Sequence, residues 1–220
     1  MDIFDLSGLF LSGAWGTLRL FLLALVGSLA LGTLLAAMRV SPTPVLRGAA
    51  ATYVTVVRNT PLTLVMFFCA FGLPILDIQF ASDRGLNSFF YASLALSAYT
   101  ACFVAETLRS GIAAIPVGQA EAARAIGLSF RQTLSLIVLP QAFRTVIPPL
   151  GSVVIAMLKN TSIASAFNNR ELISAMRSGI EIRGDMVITI LIATALIYLV
   201  LALGLGRIFD LLERKLVILR

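Results

Sequence analysis

The chain contains no histidine among its 220 residues. Imidazole acid–base catalysis and histidine metal ligation are therefore excluded. It has only two cysteines, Cys69 and Cys102, both inside apolar runs and without CxxC spacing. That pattern suggests neither a redox pair nor a thiolate metal site, and both read as small inert hydrophobes. No GxxxxGK[ST] stretch occurs, so the chain carries no phosphate-binding loop of its own. Charge is scarce too: 13% of residues are ionisable Asp, Glu, Lys or Arg, about half the share in a soluble domain. What is abundant is apolar. Hydrophobic residues make up 59% of the chain, and the mean hydropathy is +0.96. This excludes disordered, collagen-like and disulfide-scaffold proteins, and it leaves too little polar surface to coat a soluble enzyme. A net charge of +6 can point to nucleic acid. In so apolar a chain it fits basic residues crowding cytoplasmic loops, and no nucleic-acid partner is expected.

A membrane helix needs about 20 mostly apolar residues. Five such runs are present, predicting an all-α polytopic membrane protein formed as a single domain over residues 1–220. They are Leu20 to Met38, Pro61 to Leu76 with a backward extension through Tyr53, Phe89 to Leu108, Val146 to Leu158, and Met186 to Leu205. The start, with Asp2 and Asp5 and no basic stretch, does not read as a cleavable signal. Arg39, Arg47 and Arg58 fall in one link, Arg109, Arg124, Arg131 and Arg144 in another, and Arg207, Arg214, Lys215 and Arg220 in the tail. With five spans these segments share one side, which the distribution of basic residues makes cytoplasmic. Asp2, Asp5, Asp77, Asp83 and Arg84 then lie outside, as does the mixed stretch from Lys159 to Asp185.

The longest basic link, about residues 112–140, predicts two short helices. Pro116 suits a first helical turn, and Ala120 to Ile126 is rich in strong helix formers. Gly127 fits the left-handed position after a helix end. Ser129 and Gln132 have the spacing of a capping box, and Pro140 limits how the second helix joins the next span. Such a helix–glycine–helix is either a rigid knob on the cytoplasmic face or an amphipathic loop resting on headgroups.

Glu121-Ala122-Ala123, three residues, Gly127, nine residues, Ile137, one residue, then Leu139-Pro140 resembles the EAA loop of ABC-importer permeases. The stretches Arg58-Asn59-Thr60-Pro61, Phe103 to Gly111 with Glu106 and Arg109, Gly118-Gln119 and Lys159-Asn160-Thr161-Ser162 resemble the polar amino acid permeases, most closely those for glutamate. The resemblance covers residues 14 to 210. It implies a coupling helix, carried by Glu121, Ala122, Ala123, Gly127 and Ser129, that docks into a groove of a cytoplasmic ABC ATPase dimer. It also implies alternating access, with ATP and Mg bound by that partner and no cofactor bound by this chain. An extracytoplasmic amino-acid-binding protein would deliver the solute. Related permeases often carry Gln where this chain has Val65. That departure shifts the main solute contacts toward a second, non-identical permease in a heterodimer, with a homodimer the other arrangement.

Polar residues inside apolar runs are costly and mark candidate pathway positions. Glu106, with Arg109 three residues on, is either a self-neutralising pair or part of a gate. Arg58, Asn59 and Thr60 either cap a helix starting at Pro61 or face the solute route. Lys159, Asn160, Thr161 and Ser162 interrupt an apolar run and suit the wall of a polar cavity, or else a solvated helix end. Arg19 reads as a snorkelling anchor, and Met66, Phe67 and Phe68 as core or lipid contacts. Residues 168–179 read as a short amphipathic helix with Glu171 in its first turn. It is either a membrane-surface helix or a platform for the binding protein. The reading that follows is import of a polar amino acid, glutamate favoured, with glutamine, arginine, histidine or methionine as alternatives. An ATP-independent transporter would show inverted repeats and several buried carboxylates, and only Glu106 falls within a run.

Overall fold

The computed structural model describes residues 3–216, with side-chain surroundings for residues 6–215. Asp2 and Arg220 lie outside the described residues, as does the side chain of Asp5. Everything described is helical or connecting, without a strand among the described residues. Helix α1 spans Ile3–Val40, α2 Pro44–Arg58, α3 Leu62–Phe67 and α4 Leu73–Ile75. Helix α5 spans Arg84–Ala113, α6 Val117–Ala125, α7 Phe130–Gln132, α8 Leu139–Asn160, α9 Leu172–Ile182 and α10 Val187–Leu216. Four helical runs are long and apolar enough to cross a membrane, and the bent pair 44–58 and 62–75 makes a fifth.

Three expectations about the spans are corrected. The first helix begins at Ile3 rather than near Leu20. No proline stands between them, and Gly13 and Gly16 allow close contact with Ala175 and with the Arg170 carbonyl. The second span does not run straight back through Tyr53: the chain turns by 104° between Arg58 and Leu62. Proline disfavours helical backbone in the residue before it and has no N–H of its own, and here α2 ends ahead of Pro61 and α3 sets off from it in a new direction. The fourth span is one end of a continuous run from Phe130 to Phe167. Pro140 does not interrupt it: it stands in the first turn of α8, directly after a π-helical turn over Thr133–Val138, where a residue without an N–H is tolerated.

α1 packs along α5, which packs on α8, and α8 on α10. Lipid offers helices no hydrophobic drive to associate, so the contacts depend on small residues and close approach. A Cβ on Gly32 would come within 2.6 Å of Val104 Cβ. The Ser97 hydroxyl donates to the Ala24 carbonyl of α1 at 3.3 Å, and Tyr53 of α2 donates to the Ala98 carbonyl at 3.1 Å. Leu20, Phe21, Ala24, Leu96, Met157 and Leu158 form the central core. Cys102 is buried in a second cluster with Leu35, Ala36 and Val54, and Cys69 in the first. The large apolar residues of α10, such as Ile192, Leu199 and Leu203, face outward, as lipid contact requires.

Candidate functional site

At the C-terminal end of α5 the chain forms α6 and turns back into α7. Two backbone bonds close α6: Gly127 N–H to Arg124 O at 3.0 Å and Leu128 N–H to Ala123 O at 3.1 Å. Gly127 itself has φ +92°, which only glycine adopts freely. Ser129 then opens α7 as an N-cap: its Oγ accepts from Gln132 N–H, and its own N–H donates to Gln132 Oε1 at 2.9 Å. These local features match what the spacing of Gly127, Ser129 and Gln132 predicted. Pro116 stands one step earlier than expected, as the N-cap rather than in the first turn. The second helix is not separate but continues through the π turn into α8.

α6 is held by its small side. Ala123 is its one buried residue, and the helix packs on the Thr133–Val138 turn. Gln141 of α8 donates to Gln119 Oε1 of α6, and its Nε2 also reaches Ile137 O at 2.8 Å. Glu121, Ala122, Gly127 and Ser129 are exposed, together with Val117, Ile126 (81% exposed) and Phe130. The short helix is thus fixed on one face and presents a mixed face on the other, with Val117 and Ile126 exposed beside Glu121 and Arg124. The Gln119–Gln141 pin was not foreseen, since the two side chains meet through tertiary packing and no local spacing announces them.

Glu106 of α5 is half-buried between two arginines. It accepts from Arg109 Nη2 at 2.9 Å and sits 3.2 Å from Arg39 Nη1 of α1. The Arg109 contact was legible from the i, i+3 spacing, and the Arg39 contact was not.

The polar residues at the bend divide. Asn59 Nδ2 donates to Thr55 O at 2.7 Å and Thr60 Oγ1 to Val56 O at 2.8 Å. They close the end of α2 rather than cap the start of α3, because the last carbonyls of a helix lack donors and these side chains supply them. Pro61 occupies the N-cap of α3 and brings no side-chain cap. Arg58 is exposed. Of the group after α8, Thr161 is turned into the core and donates to Leu158 O at 2.6 Å, and Ser162 donates to Lys159 O at 2.7 Å. Lys159 is exposed. Asn160 alone of the four lines a side cavity of about 370 Å³, with Tyr99, Thr100, Phe103 and Ser152. Met66 is buried, while Phe67 packs edge-on against Phe167 at 4.9 Å and Phe68 is exposed. Arg19 is exposed midway along α1, with its guanidinium 6.0 Å from the Trp15 ring.

At the opposite end of α5 a buried carboxylate holds the chain together. Glu171 is fully enclosed and is the N-cap of α9, not a first-turn residue. Its oxygens accept from Ser174 N–H at 2.7 Å, Ile173 N–H at 2.9 Å and Tyr198 OH of α10 at 3.1 Å. Thr17 Oγ1 of α1 accepts from the neighbouring Leu172 N–H at 3.1 Å. Burial pushes the Glu171 carboxyl above the usual carboxylate range, and these donors hold it part of the way back. α9 buries Leu172, Ala175 and Gly179 against α1 and α10, so it is a packed element of the bundle and not a helix lying free on a surface.

Residues 28–218 match the family model described as binding-protein-dependent transport system inner membrane component. The chain belongs to this family. Its relatives include the glutamate transport system permease protein GluC of Corynebacterium efficiens, 43% identical over 92% of this chain and 91% of that protein. GluC of Corynebacterium glutamicum is 41% identical over 96% and 97% of the two chains. The probable glutamine ABC transporter permease protein GlnM of Bacillus subtilis is 35% identical over 97% and 96%. Among solved structures, the crystal structure of an amino acid ABC transporter with histidines superposes with a TM-score of 0.86 at 28% identity, over 98% of this chain and 99% of that one. An inward-facing MetNI methionine ABC transporter superposes with a TM-score of 0.74 at 18% identity, a likeness of fold. The chain is thus an inner-membrane transport subunit.

Proposed function

We propose that this chain is the permease of an ATP-driven importer of amino acids, with glutamate as the favoured solute. The observation that carries the reading is α6: a short helix pinned by Gln119–Gln141, ended by Gly127, and presenting Val117, Glu121, Ala122 and Ile126 to solvent. Its partner is the groove of a cytoplasmic ABC ATPase dimer, which binds ATP and Mg. Ser129 fixes the turn that follows. The α6 end is therefore cytoplasmic, with the N-terminus outside and the C-terminus inside, in keeping with Arg207, Arg214 and Lys215 at the end of α10. ATP favours the closed ATPase, α6 moves with it, and the spans pass from inward- to outward-facing. The differential affinity of ATP for the two states drives the shift. A binding protein delivers the solute from outside, and a second permease, identical or not, completes the pathway.

Glutamate is supported by the names of the relatives at 41% and 43% identity. It is also supported by Arg58 and Lys159, two exposed cations without an ion pair among the described residues, near Asn59, Thr60 and Asn160 respectively in the chain. Thr161 and Ser162 spend their hydroxyls on helix carbonyls and serve the solute only by shaping that wall. Glu106 is neutralised by two arginines and acts as a fastening between α1 and α5. Glutamine is the second reading, supported by the relative at 35% identity. Uptake of labelled glutamate in cells with clamped ion gradients tests the proposal. Uptake should stop on ATP depletion and be competed by unlabelled glutamate far better than by glutamine. Uptake that persists without ATP contradicts the importer, and stronger competition by glutamine moves the solute to the second reading.

A further inference from the structure

Charge in the first third of the chain is one-sided. Between residues 6 and 76 there is no Asp or Glu, against four arginines, Arg19, Arg39, Arg47 and Arg58. Arg39 stands in the last turn of α1 and gives one nitrogen to Glu106. Arg47 stands near the start of α2, exposed and without an ion pair among the described residues.

The turn that joins them is held by hydrogen bonds. Ser41 N–H donates to Met38 O, Thr43 N–H to Ser41 Oγ and Arg47 N–H to Thr43 O, each at 3.2 Å. Pro42 and Pro44 fix φ on either side of Thr43, and Pro44 fills the first helical position of α2. Ala50 and Val54 then seat α2 in the cluster with Leu35, Ala36 and Ala101. This fixed corner holds three apolar side chains away from the protein: Val40 is 52% exposed, Val45 77% and Leu46 43%. Val40 also ends a longer stripe. Val26, Ala30, Leu34, Ala37 and Val40, three and four residues apart, are all exposed on one face of α1. At 1.5 Å per residue the stripe runs roughly 20 Å, more than the half-thickness of a bilayer core, about 15 Å. A surface apolar along one leaflet and cationic at its end complements an anionic lipid, with acyl chains along the stripe and the headgroup at the arginines.

We propose that the α1–α2 corner seats an anionic phospholipid of the cytoplasmic leaflet. Its phosphate rests on Arg47 and the remaining N–H groups of Arg39, and its acyl chains lie along Leu34, Val40, Val45 and Leu46. A guanidinium suits a phosphodiester, whose two free oxygens it meets with two N–H groups. The choice of leaflet rests on the orientation of the proposed importer, while the lipid chemistry stands apart from it.

The test uses the full chain with the subunits that accompany it, purified in neutral detergent and titrated with phosphatidylglycerol or phosphatidylcholine under native mass spectrometry. The wild type should prefer phosphatidylglycerol. Arg47→Gln should lose about fivefold in phosphatidylglycerol affinity and nothing in phosphatidylcholine affinity. Arg47→Lys should keep part of the preference, and added salt should shrink it. The double change Val45→Asn, Leu46→Asn should weaken both lipids alike. Arg47→Gln should melt as the wild type does in phosphatidylcholine, which ties the loss to the headgroup. Equal phosphatidylglycerol affinity in the wild type and Arg47→Gln overturns the proposal. So does displacement of phosphatidylglycerol by inorganic phosphate at similar concentration, which assigns Arg47 to free anions. So does loss of an accompanying subunit from Arg47→Gln or the double variant, which gives the corner to a protein partner. The titration reads the lipid with or without an ATPase present, so failure of the importer reading shows as a missing ATPase and not as a lost lipid preference.

Discussion

Glu106 of α5 and Arg39 of α1 meet 3.2 Å apart at the end of the bundle that carries α6. The same carboxylate accepts from Arg109 at 2.9 Å, so one negative charge holds two positive ones and fastens α1 to α5 near the base of the α6 loop. Neutralising the carboxylate leaves two guanidiniums facing each other. Glu106→Gln should destabilise the complex by about 1–3 kcal/mol, and Arg109→Ala by less, because Arg39 keeps its partner. Thermal unfolding of the detergent-solubilised complex checks the order. Equal melting temperatures for Glu106→Gln and the wild type would remove the fastening from the account.

Gly127 is the pivot of the α6 end. At φ +92° a β-branched residue is strained by about 1–3 kcal/mol, and the two bonds that close α6 loosen with it. Gly127→Val should leave the chain in the membrane and the ATPase attached, with ATP hydrolysis no longer matched by solute uptake. Parallel measurement of phosphate release and uptake reads the ratio directly. Normal uptake by this variant would count against α6 as the coupling element.

Glu171 sets a pH dependence at the other end. Its folded pKa lies above the unfolded value, so the folded protein binds more protons than the unfolded chain between the two. Stability then falls as pH rises from about 4, the ordinary carboxylate range, through the raised pKa. Glu171→Gln, which does not titrate, should lack this contribution. The melting-temperature difference between wild type and Glu171→Gln should change over that window, with the wild type gaining at the acid side. A difference that is flat with pH would contradict the assigned shift.

What was legible in the sequence and what was not follow from the range of the interactions. Gly127, Ser129 and Gln132 act within a few residues, so their cap and turn could be read by spacing alone. The apolar runs announced the membrane helices for the same reason. The bend at Asn59 to Pro61 was half-legible: proline marked the break, but which helix the Asn59 and Thr60 side chains would close depended on the turn's direction. Arg39 on Glu106, Gln119 on Gln141 and Tyr198 on Glu171 join different helices, and only packing creates them. Thr161 looked like its polar neighbours until the chain turned it inward.

The central claim is that α6 docks this permease onto an ATPase. Affinity purification of the tagged chain from its native membrane in mild detergent, with mass spectrometry of what accompanies it, tests this most directly. The wild type should bring an ABC ATPase, and Ile126→Glu, which replaces the exposed apolar side chain at the end of α6 by a charge, should lose it while remaining in the membrane. Absence of any ATPase from the wild type, under conditions that keep a known importer whole, or full retention by Ile126→Glu, would contradict the account.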